Sequence, residues 1–467
     1  MESAARSLAI AASRSCFAKA APEIRSAYRD FLLDTIAVMA AGSAHPSLAP
    51  ARAAFVAAGG TGDASAAGFA QGVPAAVAGL VNGAAMTVLQ LQDGHRRARG
   101  HPMSHVLPAA LAVAEEVGAP ASAFLDAVMA GYEVSARVGA SLGGMQPLLH
   151  DTGTFGCIGA AVAAAHLLAH GNDVESRAAI IEATIGNSAA VALFPFRDTC
   201  MEGASGHHLF VGLGVQNGIN AARAALAGLA PSHATLERFF GPRAGEAFDP
   251  PAMTDGIGPD GNWERYEIAS AYLKWHPVCA HLGPMLDCID ELRERLGGFD
   301  PARIDELRVE VYSTALQYDS PSPASDLAAR FSFRHAAALA ICFGALPPDG
   351  FSSERLNHPQ ISDLVSKVVL EADAGFDALY PANRPGRVTV VMSDGTREAA
   401  EVSISKGDGT RALTRVDVDA KATGLLTSAW AGDRPASILR LVDGVEGEPV
   451  PNLPHALGHA LRQPFRI

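Results

Sequence analysis

The sequence predicts a mainly α fold with an α/β insertion, in which a large all-helical domain is joined to a smaller α/β domain. Two patterns lead to this prediction. Up to about residue 265 apolar residues recur at the three-and-four spacing of amphipathic helices, and farther along they alternate with charged residues as in half-buried strands. The composition agrees, because a chain that is 49% hydrophobic, only 6% aromatic and rich in glycine suits closely packed helices.

The helical patterns fill the first part of the chain. One buried helical face begins at Pro22 and stops at Gly42, and it is marked by Ile24, Tyr28, Phe31, Leu32, Ile36 and Met39. Alanine-rich segments with the same periodicity follow at 74–88, 106–117, 122–141, 156–170 and 177–193. We therefore expect the helical domain to occupy residues 1–268.

The pattern changes to that of strands in the next part. Residues 304–312 alternate apolar with charged side chains, which is the period of a half-buried strand. Residues 387–405 are typical of a hairpin, and the pair Asp394 and Gly395 would supply the positive φ angles of its tight turn. These segments predict an α/β domain over residues 269–403 with a mixed or antiparallel sheet.

Other segments complete this organisation. Ser332 is placed to cap a helix that runs to about Phe343, and residues 367–373 have the composition of another strand. Residues 404–467 return to a helical pattern, so the α/β domain interrupts the helical one. A junction of this kind forms a cleft, where small-molecule sites tend to lie.

Charge and cysteine usage exclude several classes of protein. The net charge is −13, which argues against a nucleic-acid surface or a basic membrane face. No run of about 18 apolar residues predicts a membrane span. The six cysteines are scattered without a C-x-x-C pair, as reduced thiols are in a cytosolic protein. We expect a cytoplasmic protein.

The segment 89–108 gathers ionisable groups in an otherwise apolar chain. Asp93, His95 and His101 lie there with Arg97 and Arg99. Pro102 disfavours helical conformation in the residues just before the proline. The acidic and imidazole groups can transfer protons, and the arginines can hold carboxylates. The alternative is a charged, solvated loop.

A metal site is a second alternative for this segment. His101 and His105 are four residues apart, but no H-E-x-x-H pattern or cysteine ligand accompanies them. We therefore expect neither a metal nor another cofactor.

Three further segments contain candidate residues. His150 and Thr154 belong to a turn before an alanine-rich helix, whose backbone N–H groups could attract carboxylate, although its glycines could equally serve close helix packing. His207 follows a glycine-rich turn that could line a cavity or belong to the core. Lys274 and His281 lie at the domain junction, where a desolvated lysine can serve as a base, or where they form a solvated hinge.

Together these motifs resemble those of the MmgE/PrpD family over nearly the whole chain. Each is modest alone, but their shared order is specific. They are Gln92-Asp93-Gly94-His95, His101-Pro102, Val106-Leu107-Pro108-Ala109, the H-x-T-G-T-F-G match from His150 to Gly156, the segment with Lys274, Pro277 and Cys279, and Lys406-Gly407-Asp408.

The resemblance implies a helical domain, an α/β lid domain, a homodimer and an active site in the cleft between the domains. Known activities of the family are 2-methylcitrate dehydration, cis-aconitate decarboxylation and iminodisuccinate epimerisation, all of which act on small polycarboxylates. The resemblance thus makes a small-molecule polycarboxylate the expected substrate, and the segment from Asp93 to His101 the principal site.

Departures from the family pattern bear on the reaction. Gln92 replaces the first aspartate of D-D-T-H, His207 stands where many members carry a lysine, and Phe210 and Leu213 replace a histidine and an arginine. A dehydratase needs a base for the C–H bond and an acid for the departing hydroxyl, so these losses disfavour that reaction.

We therefore expect a cofactor-independent epimerase of an amino-linked dicarboxylate such as iminodisuccinate. One group removes the α-proton and another returns a proton to the opposite face. The pair expected for this is His101 and Lys274, with Asp93 and His95 orienting His101. The residues expected to bind the substrate are Arg97, Arg99, His150, Thr154, His207 and His281.

Two alternatives remain open from the sequence. One is a lyase, either a 2-methylcitrate-type dehydratase or a cis-aconitate-type decarboxylase. The other is a polycarboxylate-binding protein without catalysis.

Overall fold

The computed structural model describes residues 3–466 and shows a helical domain with an inserted α/β domain. The first part of the helical domain contains α1 (Ala4–Ser13), α2 (Pro22–Ala44), α3 (Ala49–Gly59), α4 (Ala75–Ala85), α5 (Met103–Val117), α6 (Ala121–Ser141), α7 (Phe155–Leu168), α8 (Val174–Val191), α9 (Asp198–Met201), α10 (Leu209–Leu226) and α11 (Gly241–Ala244). Two short ladders, β1 (Ala64–Ser65) with β2 (Gly72–Val73) and β3 (Gly94–His95) with β4 (Ala271–Tyr272), connect its loops.

The helical domain is built around α7, whose residues from Phe155 to Leu167 are all buried. Small side chains allow its neighbours to approach closely. A Cβ atom added at Gly131 of α6 would lie 2.6 Å from the carbonyl oxygen of Gly159 in α7, so only glycine fits there. The abundance of glycine and alanine in the sequence is therefore the means by which these helices pack.

The α/β domain contains a four-stranded mixed sheet. Its strands are β5 (Ile304–Val311), β6 (Val368–Ala372), β7 (Gly386–Met392) and β8 (Arg397–Val402), in the order β6-β5-β7-β8. β5 pairs with β6 in parallel and with β7 antiparallel, and β7 pairs antiparallel with β8. The accompanying helices are α12 (Gly283–Leu296), α13 (Ser313–Leu316), α14 (Asp326–Ala329), α15 (Phe333–Phe343), α16 (Ser353–Leu356), α17 (Pro359–Lys367) and α18 (Ala374–Asp377).

The chain then returns to the helical domain through three helices, α19 (Arg415–Ala429), α20 (Arg434–Asp443) and α21 (Leu453–Leu461). Their apolar residues, including Val418, Leu425 and Leu457, belong to the same hydrophobic core as α2 and α5. A separate core lies between the sheet and the helices of the α/β domain. The prediction of a mainly α fold with an α/β insertion is confirmed, and the boundaries 1–268, 269–403 and 404–467 remain predictions.

The individual elements follow the sequence patterns closely. Ser332 caps α15 as predicted, since its side chain accepts a hydrogen bond from the backbone N–H of His335. The predicted hairpin of β7 and β8 is also present, but its turn is longer than predicted. Gly395 has a φ of 84°, and Asp394 is not among the residues with positive φ. The loop has four residues rather than two, so only one left-handed residue is needed.

No helix of the part of the chain that the structure describes is long and apolar enough to cross a membrane. All six cysteines are free thiols.

Candidate active site

The two domains face each other across a cleft of about 350 Å³. The wall from the helical domain includes Arg99, His150, Asp151 and Arg197. The wall from the α/β domain is formed by His281, Thr314, Gln317, Tyr318, Tyr380 and Arg384. A second cavity of about 30 Å³, lined by Lys274 and Cys279, lies next to it, and Arg384 borders both. The cleft is therefore lined by several arginine side chains, although the protein as a whole is strongly acidic.

The ladder between β3 and β4 brings two distant segments together. Gly94 pairs with Tyr272, and a Cβ atom at Gly94 would lie 2.1 Å from the ring of Tyr272. The Lys406-Gly407-Asp408 motif holds the second segment from the other side, because Leu273 donates its N–H to the carbonyl of Gly407 at 3.2 Å. Lys274 is thereby fixed beside the segment that carries Asp93 and His101.

Asp93 is buried at the start of α5. Its carboxylate accepts hydrogen bonds from the backbone N–H of Met103 at 2.9 Å and of Ser104 at 3.0 Å, and from the Ser104 hydroxyl at 2.7 Å. These are donors that a helix leaves unpaired at its first turn. Burial raises the pKa of Asp93 to about 6. Asp93 thus acts as the cap of α5.

His101 and His105 form a short chain of hydrogen bonds. The Gly153 N–H donates to Nε2 of His105 at 2.9 Å, so the proton of this ring lies on Nδ1 and is donated to the His101 carbonyl at 3.0 Å. Neither nitrogen of His105 is left for a metal. His101 donates from Nδ1 to the Asp93 carbonyl, which leaves a lone pair on Nε2. Burial and the charge of Lys274 lower the pKa of His101 well below its usual value.

Lys274 is buried, and its Nζ donates to the carbonyl of Gln90 at 3.0 Å. Burial lowers the pKa of Lys274 to about 8, against the opposing effect of Cys279, Asp151 and Asp93. Lys421 of α19 donates to the Lys274 carbonyl at 2.6 Å and forms an ion pair with the buried Asp34 at 2.6 Å. The C-terminal helices therefore hold the backbone that carries Lys274.

Asp151 is a third titratable group of the cleft. Its Oδ1 lies 3.2 Å from Nδ1 of His150, and its Oδ2 is buried without a hydrogen-bond partner among residues 3–466. Burial raises the pKa of Asp151 to about 7, although the charge of Lys274 opposes this. Asp151 therefore exchanges a proton near neutral pH.

Two neutral histidines lie against each other beside Asp151. The ring centroids of His150 and His207 are 4.9 Å apart. Burial lowers the pKa of His150 to about 4 and that of His207 well below its usual value. Lys274 adds to both shifts, which shows that its charge acts on the same small region.

The arginines of the first segment are separated by the structure. Arg99 lines the cleft, whereas Arg97 lies outside its lining and is paired with Glu267 at 2.7 Å. Arg99 has a φ of 51°, and Gln90 and Leu148, which flank the site, also have positive φ. Such backbone conformations are strained for residues with a side chain and concentrate at functional sites.

Of the remaining predicted residues, His281 lines the cleft, whereas His95 and Thr154 line neither cavity. His95 is buried, with its Nε2 3.0 Å from the Glu267 carbonyl and its Nδ1 accepting the Ala98 N–H at 3.1 Å. Thr154 is buried and donates its hydroxyl to the Asp151 carbonyl. His281 lies in the cleft and stacks on Tyr318 at 4.3 Å.

Two family models match most of the chain. The MmgE/PrpD N-terminal domain matches residues 6–244, and the MmgE/PrpD C-terminal domain matches residues 276–445. The chain belongs to the MmgE/PrpD family. The predicted family is therefore confirmed, and so is the fold that the resemblance implied.

Two curated proteins are similar to this MmgE/PrpD protein. Cis-aconitate decarboxylase of Homo sapiens is 25% identical over 394 residues, which cover 80% of this chain and 77% of the relative. Cis-aconitate decarboxylase of Mus musculus is 26% identical over 136 residues, or 28% of this chain and 27% of the relative.

The structure adds residues of this MmgE/PrpD protein that the sequence reasoning missed. The most prominent are Asp151, Arg197, Arg384, Tyr318 and Cys200. Asp151 had a detectable signal, because it is an acidic residue inside the H-x-T-G-T-F-G motif. The others lie in segments without a recognisable pattern. Arg197, Tyr318 and Arg384 line the cleft, whereas Cys200 lies outside its lining, near His150 and His207.

Proposed function

We propose that this MmgE/PrpD protein transfers protons at a carbon atom next to a carboxylate of a small polycarboxylate, with His101 as base and Lys274 as acid. One observation carries the proposal. Two groups with opposite protonation states lie in one buried region, since the pKa of His101 is far below neutral and that of Lys274 is about 8. Near pH 7 the imidazole is ready to accept a proton and the ammonium group to give one.

The cations of the cleft support a polycarboxylate substrate. Arg99, Arg197 and Arg384 border it from both domains, and guanidinium groups bind carboxylates through paired hydrogen bonds. The volume of about 350 Å³ suits a small anion. In this proposal the reacting carbon lies between the side chains of His101 and Lys274; Lys274 and Arg384 line the smaller cavity, whereas His101 lines neither cavity.

The proton transfer uses the hydrogen bonds already described. The C–H electron pair stays on the substrate as an enediolate-like anion while the proton moves to Nε2 of His101. Nδ1 keeps its hydrogen bond to the Asp93 carbonyl, which orients the ring and stabilises the imidazolium. The arginines stabilise the anion, and Lys274 returns a proton to the carbon.

The other predicted residues take supporting roles. Asp93 and His95 fix the backbone that carries His101, and Thr154 fixes Asp151. His150, His207 and His281 would contact substrate as neutral hydrogen-bonding groups. Arg97 would act through Glu267 rather than on the substrate.

The specific reaction we favour is epimerisation of an amino-linked dicarboxylate such as iminodisuccinate. It requires only one base, one acid and cations for the intermediate. Dehydration would instead use the acid on a departing hydroxyl group, and the departures at Gln92, His207, Phe210 and Leu213 disfavour it; decarboxylation requires no base for a C–H bond.

A lyase reaction is the second candidate, and the two relatives support it. Both are named cis-aconitate decarboxylase, and the human protein is similar over 80% of this chain. The raised pKa of Asp151 also provides a carboxylic acid that a dehydration could use.

Proton NMR in D₂O distinguishes these reactions. The chelator-treated protein is incubated separately with iminodisuccinate, 2-methylcitrate and cis-aconitate. We expect loss of the α-proton signal of iminodisuccinate and new diastereomer peaks without an alkene. An alkene from 2-methylcitrate, or itaconate from cis-aconitate, would establish the lyase instead. Tight binding of all three without turnover would show a polycarboxylate-binding protein.

A further inference from the structure

Three metal-type ligands meet at the edge of the cleft, although they come from different segments. His150 precedes α7, Cys200 lies in α9, and His207 lies in the turn before α10. One ligand atom from each lies within 4.8 Å of the others. The sequence offers no metal motif here, because the three residues are separated by irregular lengths of chain.

The hydrogen bonds of these side chains leave nitrogen atoms available. Nδ1 of His207 is buried and has no hydrogen-bond partner in the described part of the chain. A polar atom in that position is unfavourable unless something binds it. Nδ1 of His150 accepts a hydrogen bond from the Thr152 backbone N–H at 3.2 Å, so the ring proton lies on Nε2. Binding of a metal by Nε2 would move this proton to Nδ1, which lies 3.2 Å from the Asp151 carboxylate.

We propose that His150, Cys200 and His207 bind a thiophilic divalent metal ion such as Zn²⁺ or Co²⁺, with the fourth position open to the cleft. One thiolate and two imidazoles suit these ions, and three protein ligands with an open position are typical of reactive rather than structural zinc sites. Asp151 supports His150 from behind, as carboxylates support metal-binding histidines elsewhere. This site goes beyond the proposed function, and an occupied site would replace the direct substrate contacts proposed above for His150 and His207.

Binding needs a modest rearrangement. Metal–ligand bonds of about 2.0–2.3 Å require the three atoms to approach one another by roughly 1 Å. Cys200 belongs to a helix of only four residues, which can shift more easily than a long one. The Cys200 thiol, which now donates to the Arg197 carbonyl at 3.0 Å, would lose its proton to solvent and bind as a thiolate.

The charged groups around the site have opposite effects on a bound metal ion. Lys274 and Arg197 act on His150 and repel a cation, whereas the Cys200 thiolate and the Asp151 carboxylate attract it. A metal without affinity for sulfur gains nothing from the thiolate. The site should therefore select Zn²⁺ and Co²⁺ over Mg²⁺.

Cobalt titration of the chelator-treated, full-length protein tests the site without any substrate. We expect one Co²⁺ per chain and a near-ultraviolet band from sulfur-to-cobalt charge transfer, which Zn²⁺ abolishes and Mg²⁺ does not. Cys200→Ser should remove the band, and His207→Gln should weaken binding at least tenfold. Cys342→Ser, a matched change at a cysteine in the other domain, should leave both unchanged.

X-ray absorption spectroscopy of the zinc-bound wild-type protein gives a test that does not depend on a variant's folding. We expect one sulfur and two imidazole nitrogens around the metal. A shell without sulfur, or a cobalt band that survives in Cys200→Ser, would overturn the site. Because no substrate is used, a negative result would leave the proposed proton transfer untouched, and loss of catalysis would leave the metal site untouched.

Discussion

At the scale of single residues, burial controls the chemistry of the site. It moves carboxyl groups toward their protonated form and basic groups toward their neutral form. Asp151, Lys274 and His150 therefore have pKa values of about 7, 8 and 4, although each side chain has its usual pKa in the unfolded chain.

The first prediction concerns the proposed proton-transfer pair. Lys274→Ala and His101→Gln should each lower kcat at least a hundredfold, because general acid–base groups contribute about 10²–10⁴ in rate. The controls are Lys19→Ala and His233→Gln, both at exposed positions. Steady-state kinetics with the substrate identified by NMR gives the rates. Near-normal turnover in both site variants would contradict the assignment.

The pH dependence of the reaction supplies the second prediction. Lys274 acts as an acid only while protonated, so kcat/KM should fall as the pH rises through about 8. Burial holds the pKa of His101 well below its usual value of 6.5, so its titration should add no rise in kcat/KM above pH 6.5. A rate that increases through pH 8 would instead make Lys274 the base in the measured direction.

Asp151 gives the third prediction, which concerns stability. Its folded-state pKa of about 7 exceeds the usual value of 3.8, so the folded protein holds a proton that the unfolded chain releases. The free energy of unfolding therefore falls as the pH rises from about 4 to about 7. Asp151→Asn should remove this fall and stabilise the protein by about 2–4 kcal/mol at pH 8, with little effect at pH 4.

Urea unfolding of wild type and variant at both pH values measures this effect. Asp173→Asn is the control, because the pKa of this exposed carboxylate is lowered rather than raised. Equal effects of Asp151→Asn at pH 4 and pH 8 would contradict the prediction.

At the scale of secondary-structure elements, the local sequence predicts that a helix forms, but tertiary contacts also determine where it begins. The predicted helix 122–141 is α6 (Ala121–Ser141), since its apolar periodicity is uninterrupted. The predicted helix 106–117 begins earlier, at Met103, because Asp93 caps its first turn from ten residues upstream. A local pattern cannot show such a cap.

The same distinction explains which site residues could be predicted. Asp93 and His101 stand out because they are polar residues in an apolar sequence, and the family motifs single out Lys274. Arg384 and Arg197 lie in loops without a motif, and their place in the cleft follows only from the meeting of two domains. Polar clusters along the chain are visible in a sequence, whereas clusters that form only in space are not.

The buried ion pair between α2 and α19 gives the fourth prediction. Lys421→Met should lower the free energy of unfolding by about 3–5 kcal/mol, because it leaves Asp34 buried without its partner. The double variant Asp34→Asn/Lys421→Met should recover at least half of this loss. Urea unfolding gives the values, and additive losses in the double variant would contradict direct pairing.

At the scale of the whole molecule, the chain contains two separate hydrophobic cores, one in each of the two domains that line the cleft. Leu107 lies in the core of the helical domain and Leu292 in that of the α/β domain, and both are fully buried. The homodimer implied by the family resemblance remains a prediction, which sedimentation equilibrium can test.

The separate cores lead to the fifth prediction. Leu292→Ala should destabilise the α/β domain by about 2–5 kcal/mol, and Leu107→Ala should destabilise the helical domain by a similar amount. Hydrogen exchange followed by mass spectrometry should locate faster exchange in residues 283–402 for the first variant and in α5–α7 for the second. Equal acceleration throughout by either variant would show one cooperative unit.

The ion pair of Lys421 also has a consequence for biosynthesis. During synthesis the segments that carry Asp93, His101 and Lys274 emerge from the ribosome before α19 is made. The nascent chain then contains the proposed proton-transfer groups without the helix that holds the Lys274 carbonyl. The helical core likewise lacks Leu425 and Leu457 until then. Assembly of the proposed active site therefore requires α19, and a product truncated before it would expose an incomplete core to proteases.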